Sequence, residues 1–210
     1  MAAATAATRF FALLLAIVAS RSGAEAARGR AVLHVDPREI ALVDDRGVST
    51  KLADYAGEAL VVTFVASRCT DVCPIANGEF ALVRALVRRD RLAARLLTIT
   101  LDPAYDTPFV LARVAHEFSL GTDRSWRFAT GRPRDVETLT RAFGVVARKN
   151  KVGVPDVHGS LVYVLDRRGR LATTLLLSTS LDRDVEFALR HLPAATAASA
   201  SAKRSGTEIE

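Results

Sequence analysis

The chain has two cysteines among its 210 residues, Cys69 and Cys73, and Thr70-Asp71-Val72 separates them. Pro74 follows at once, and the apolar run Ala59 to Ala66 comes just before, linked through Ser67-Arg68. Such a run reads as a strand buried on both faces, and a proline is at home in the first turn of a helix. The pair therefore falls where a buried strand hands over to a helix, at the carboxyl edge of an open α/β sheet, where sites gather. A helix N-terminus favours the thiolate, which is both the nucleophile and the metal-binding form of cysteine. Residues four positions apart on a helix have Cβ atoms about 5–6 Å apart, so the two sulfurs can converge. A disulfide is then within reach after modest adjustment. Two chemistries follow: holding a soft metal when reduced, and forming a disulfide when oxidised. A plain structural disulfide, the usual meaning of paired cysteines in an exported chain, stays open on spacing alone.

Two thiolates are a soft donor set that selects Cu(I) or Zn. A structural zinc site wants four ligands, and beyond the cysteines this sequence offers only histidines and carboxylates. Cu(I) is content with two sulfurs and one nitrogen, so copper fits the inventory better. The histidines are His34, His116, His158 and His191. His34 lies in a loose N-terminal segment, His116 beside the inner face of a helix, and His191 at the end of the last helix; each reads as a surface residue. His158 ends a polar loop just before a strand, where a ligand could swing onto a dithiol and leave again. Asp102, Asp106 and Asp71 read as turn and capping residues, with a contact to the metal or to its ligands as the alternative.

The elements that must position these residues alternate. Ile40 to Thr50 reads as a hairpin turning at Asp45-Arg46-Gly47, and Leu96 to Leu101 and Trp126 to Ala129 as further strands. A helix from Pro74 to about Arg89 presents Ala76, Phe80, Val83 and Val87, and Thr107-Pro108 caps another that presents Leu111, Val114, Ala115 and Phe118. Pro133 to Phe143 is a third helix, residues 147–158 a polar loop, and Asp166-Arg-Arg-Gly169 the turn of a second hairpin between Gly159–Leu165 and Leu171–Leu177. Leu181 to Leu192 is the closing helix. Trp126 and Phe128 belong to the core. This order implies an α/β sandwich around a mixed sheet, with an N-terminal hairpin and a late β-hairpin. Arg84, Arg88, Arg91 and Arg95 make a basic stripe if the helix continues past Arg89; the simplest reading is a solvated face, the alternative an acidic docking partner.

Half of the residues are apolar, enough for one sizeable core and hence one domain, residues 27–193. The formal charge is +6, but no aromatic residues interleave with the basic runs, which argues against nucleic acid. Residues 1–26 read as a signal peptide: Arg9, the apolar stretch Phe10 to Ala19, then Ala24-Glu25-Ala26 as cleavage site. The apolar stretch is about half the length a membrane span needs. Export to a bacterial periplasm is the expectation. The alternatives are a membrane anchor facing the periplasm and, because no acid precedes Glu25, an organelle transit peptide leading to the mitochondrial intermembrane space. Residues 194–210 read as a low-complexity, disordered tail.

The segment Phe64-Val-Ala-Ser-Arg-Cys69-Thr-Asp-Val-Cys73-Pro74 resembles the signature of the SCO/SenC family of copper metallochaperones. Three more stretches agree in order: Asp102-Pro103 with Asp106-Thr107, Trp126-Arg-Phe-Ala-Thr-Gly131, and Val157-His158-Gly-Ser160 followed by a strand and Asp166-Arg-Arg-Gly169. Together they span roughly residues 40–190. The resemblance implies a thioredoxin-like fold and a copper ion held by Cys69, Cys73 and His158. It implies a role in assembling the binuclear copper centre of cytochrome c oxidase. The implied partners are the oxidase's copper-bearing subunit and other copper chaperones or thiol reductants, with neither nucleic acid nor a small-molecule substrate. Thr70 departs from the family, many of whose members have proline there. The rival function is a thiol–disulfide oxidoreductase acting on partner cysteines, for which His158 is not needed and a two-residue spacing between cysteines is usual.

Overall fold

A computed structural model describes residues 36–151, 153–157 and 161–193. The expected signal peptide, the expected tail, His34 and His158 lie outside the described residues. Among these, seven strands form one mixed sheet: β1 (Leu42–Asp44), β2 (Ser49–Thr50), β3 (Ala59–Val65), β4 (Ala94–Thr100), β5 (Trp126–Thr130), β8 (Leu161–Leu165) and β9 (Leu171–Leu176), in the order β2-β1-β5-β4-β3-β8-β9. Two short strands, β6 (Ala147–Lys149) and β7 (Pro155–Val157), make a separate antiparallel ribbon. The helices are α1 (Val72–Arg89), α2 (Pro108–Glu117), α3 (Pro133–Ala142) and α4 (Leu181–Arg190).

β3, β4 and β5 are parallel, and Val61 stands beside Leu96, and Leu96 beside Trp126. β3 and β5 are buried along their whole length, and β4 at every residue but Arg95, because both faces of these strands are covered. Val61, Leu96, Trp126 and Phe128 pack on one face against Phe80, Val83 and Val87 of α1, Leu111 and Ala115 of α2, and Leu181 and Val185 of α4. Leu60, Val62, Phe64, Leu97 and Ile99 point the other way, toward Leu139 of α3, Leu52 and Tyr55. The period of two along each strand thus divides the core into two layers. α1 and α2 both cross on the same face as the chain steps from β3 to β4 to β5, as a common crossover handedness requires.

Both expected hairpins are present at the sheet's edges. Asp44 Oδ1 accepts from the N–H groups of Arg46 (2.9 Å) and Val48 (2.8 Å), and Gly47 takes φ +78°. Asp166 does the same for Arg168 (2.8 Å) and Arg170 (3.0 Å), with Gly169 at φ +72°. Only glycine takes such φ values without steric cost, which is why it closes both turns.

Three expectations need correction. Helix α1 starts at Val72 rather than Pro74, so Cys73 is already helical; Pro74 still sits in the first turn, where its missing N–H costs no helical bond. The polar loop at 147–158 contains the β6–β7 ribbon, closed by a turn in which Asn150 N–H donates to Val154 O (2.8 Å) and Asn150 Oδ1 accepts from Val154 N–H (3.0 Å). The arginine stripe is not one helical face. α1 ends at Arg89, Arg91 turns back with φ +51°, and Arg95 is in β4.

Candidate functional site

Strand β3 runs out of the sheet at Val65, and Ala66 and Ser67 carry the chain into a tight turn in which Cys69 N–H donates to Ala66 O at 3.1 Å. The turn folds Cys69 back over the head of α1. There the two cysteines form a small cluster with Val65, Ala66 and Ala76. Cys69 is 9% exposed and Cys73 4%. The Cys73 Sγ accepts the Ala66 N–H at 3.4 Å, and no disulfide joins the two sulfurs.

Burial alone would push the Cys69 thiol up. It is outweighed by the hydrogen bond with Cys73 and by the backbone N–H groups of Asp71, Cys73 and Val72, which hold Cys69 below the ordinary thiol range. Those N–H groups lack intrahelical acceptors because they open α1, and a negative sulfur satisfies them. The site thus favours a thiolate on Cys69, with the Cys73 sulfur beside it.

The approach to Cys69 is fixed by two carboxyl groups whose part in this the sequence reading missed. Asp106, fully buried, accepts from Ser67 N–H (3.1 Å), from the Ser67 hydroxyl and from the Thr100 hydroxyl. Asp102 accepts from Arg68 Nε at 3.0 Å, and the Arg68 guanidinium lies 4.4 Å from the centre of the Tyr105 ring. Ser67 and Arg68 are the two residues before Cys69, so the Asp102–Asp106 segment clamps the cysteine loop to the end of β4. Turn formation does occur, as Asp106 N–H donates to Asp102 O at 2.8 Å. The side chains, however, act across the sheet. A buried carboxyl just after a buried strand was the signal that could have found them, since such a group must have donors. Asp71 precedes α1 and is exposed, with no side-chain cap bond.

His116 and His191 are exposed, as expected of surface histidines, and the His191 ring stacks on Phe187. Among the described residues, no group of three or more His, Cys, Asp or Glu side chains is placed to hold a metal ion. The cysteines supply two soft donors, and His158 follows directly on β7 in the sequence. β8 begins at Leu161, whose carbonyl accepts from the Thr63 hydroxyl at 3.2 Å near the end of β3. The chain therefore enters β8 at the sheet edge where the cysteine loop leaves.

Sheet order and helix placement define a thioredoxin-like fold, with the buried cysteine pair at the head of its first helix. The chain belongs to the SCO1/SenC family, whose model matches residues 37–190. It is similar to the SCO1 protein homolog of Bacillus subtilis (strain 168), with 23% identity over 140 residues, 66% of this chain and 71% of that protein. The structure of Arabidopsis thaliana ScoI with copper bound matches with a TM-score of 0.64 at 19% identity, over 72% of this chain and 96% of that one. BsSco, a member of the Sco family of cytochrome c oxidase assembly proteins in which a disulfide switch was identified, matches with a TM-score of 0.64 at 19% identity, over 71% and 88% of the two chains. No helix among the described residues is long and apolar enough to cross a membrane.

Proposed function

We propose that this protein carries copper as its cargo, bound by Cys69, Cys73 and His158, and assists assembly of the binuclear copper centre of cytochrome c oxidase. The observation that carries this reading is the pair of sulfurs converging at the head of α1, with backbone N–H groups favouring the thiolate on Cys69. Two thiolates make a soft set suited to Cu(I). The copper-bound state of the Arabidopsis relative supports the same reading.

Each part of the chain has a task in such a carrier. The N–H groups of residues 71–73 keep Cys69 ready to bind without a strong external base. Burial of both sulfurs limits their access to water and oxidants. Asp102 and Asp106 hold the loop so that the two donors are already close before metal arrives, which lowers the ordering cost of binding. His158 is the third and exchangeable ligand, borne on the segment between β7 and β8 and able to release when a partner's thiolates compete. The partner is the copper-bearing subunit of the oxidase. Residues 1–26 direct the chain to the periplasm, and residues 27–193 form the working domain.

A second reading is favoured by the lowered Cys69 pKa and by the disulfide switch of BsSco: thiol–disulfide exchange on partner cysteines. In that step the Cys69 thiolate attacks the partner's disulfide, Cys73 displaces the mixed disulfide, and the partner gains two electrons and two protons as the chain is oxidised. Mixing the copper-loaded chain with the metal-free, reduced copper domain of the oxidase subunit separates the two. Copper passing to the partner while Cys69 and Cys73 stay reduced is the expected result. No copper transfer, together with rapid reduction of the oxidised partner by the metal-free chain, would leave the reductase reading in its place.

A further inference from the structure

Helix α3 stops at Ala142, and the next residues decide where the chain goes. Gly144 takes φ +67°, and Val145 N–H donates to Thr140 O at 2.8 Å, the left-handed glycine turn that commonly closes a helix. Phe143, just before that glycine, lays its ring 5.4 Å from the ring of Phe64 and 4.9 Å from that of Tyr163, centre to centre. The rings of Phe64 and Tyr163 are themselves 6.0 Å apart. Phe64 in β3 and Tyr163 in β8 are buried, whereas Phe143 is half-buried. Val145 packs on the same core layer.

The chain between Phe143 and Leu161 holds the β6–β7 ribbon and, directly after Val157, His158. Both ends of this span meet β3, and they do so at neighbouring residues. Phe143 touches Phe64, and Leu161 O accepts from the Thr63 hydroxyl at 3.2 Å. Phe64 lies five residues before Cys69. The strand that delivers the cysteines is therefore also the strand on which the His158-bearing span is seated. Aliphatic side chains would bury similar area without fixing a direction. Ring pairs prefer particular tilts, here 60°, 73° and 88°, and so hold an orientation.

We infer that Phe143 is a positioning residue for His158: seated on Phe64 and Tyr163, it fixes where the His158-bearing span leaves the domain and thereby raises the affinity for copper. This rests on the proposed copper reading, with His158 as the third ligand. Phe143 stands outside the cluster that holds the two cysteines, so it acts on the third ligand and leaves the dithiol as it is. Fixing the base of the span before metal arrives lowers the ordering cost of recruiting a ligand from it.

A double-mutant cycle tests the assignment. Cu(I) affinity is measured by anaerobic competition titration of the reduced full chain as wild type, Phe143→Ala, His158→Ala and the double variant. Phe143→Ala is expected to weaken copper binding about tenfold, the lower end of what losing the support around a metal ligand costs. In the His158→Ala background the same change is expected to do nothing. Phe143→Tyr keeps the ring and is expected to bind copper as wild type does. The equilibrium of the metal-free Cys69–Cys73 pair with a glutathione redox couple is expected to be the same in wild type and Phe143→Ala. Where Phe143→Ala fails to fold, Phe143→Leu, which keeps most of the apolar volume and loses the ring, carries the cycle. Wild-type affinity in the Phe143 variant, an equal loss with and without His158, or a shifted dithiol equilibrium overturns the inference and leaves the copper reading standing. A wild type that binds no copper, or His158→Ala binding as wild type does, overturns the copper reading and the inference with it.

Discussion

Asp106 is the residue on which the cysteine loop most depends, because three donors converge on a carboxyl group with no exposure to water. Asp106→Ala leaves the Ser67 N–H and the Thr100 hydroxyl buried without their acceptor. We expect a loss of about 3 kcal/mol, which lowers the melting temperature by about 6–12 °C in a domain of this size. Asp106→Asn keeps one acceptor oxygen and should cost about half as much. Thermal unfolding of the two variants checks the order, and a melting temperature for Asp106→Ala within about 2 °C of wild type would mean that the clamp contributes little. The cysteines were legible in the sequence because their neighbours are local: a buried strand before and a helix-tolerated proline after. The clamp was not, because Ser67 and Asp106 lie 39 positions apart and meet only once β3 and β4 pair.

Among the elements, α1 ends in a way its sequence disguises. Leu92 N–H donates to Val87 O at 3.0 Å, and the turn requires φ +51° at Arg91, an arginine where glycine is usual. Arg91→Gly relieves that strain and is expected to stabilise the domain by about 1 kcal/mol, raising the melting temperature by about 2–4 °C. A drop would show that the arginine has a compensating role. The same helix is tied to the loop before β5 by Arg84, only 15% exposed, and Asp123. Burial pushes Asp123 up, but the Ser125 N–H and the Arg84 guanidinium outweigh it and hold the carboxyl at about 2. A carboxyl lowered by folding stabilises above its unfolded value, near 3.8, and loses that contribution as pH falls toward 2. With solvent screening the contribution is about 1 kcal/mol. Denaturant unfolding of wild type and Asp123→Asn should therefore differ at pH 6 and converge near pH 2; a gap that persists there contradicts the assignment. The solvated arginine face expected from sequence fails for Arg84 because its acceptor is distant in the chain. The β6–β7 ribbon escaped for another reason: Ala147-Arg-Lys149 is exposed and carries no apolar alternation, so only its turn at Asn150 marks it.

Over the whole molecule, the sequence determines more than the order of its elements. The apolar run of β3 and the mostly apolar β4 and β5 require a sheet covered on both faces, and the two crossovers then fix those three strands side by side. The placement of hairpins at both edges depends on pairings between distant strands and was not legible. The result is a sheet with two distinct ends, joined by the 18-residue helix α1, about 27 Å long. The two cysteines stand at one end of that helix. The most direct test is an anaerobic Cu(I) titration of the reduced full chain, beside Cys69→Ser and His158→Ala. One tightly bound copper per chain is expected, with affinity lowered at least about a hundredfold in each variant. A wild type that binds no copper, or a His158→Ala variant that binds it unchanged, would contradict it.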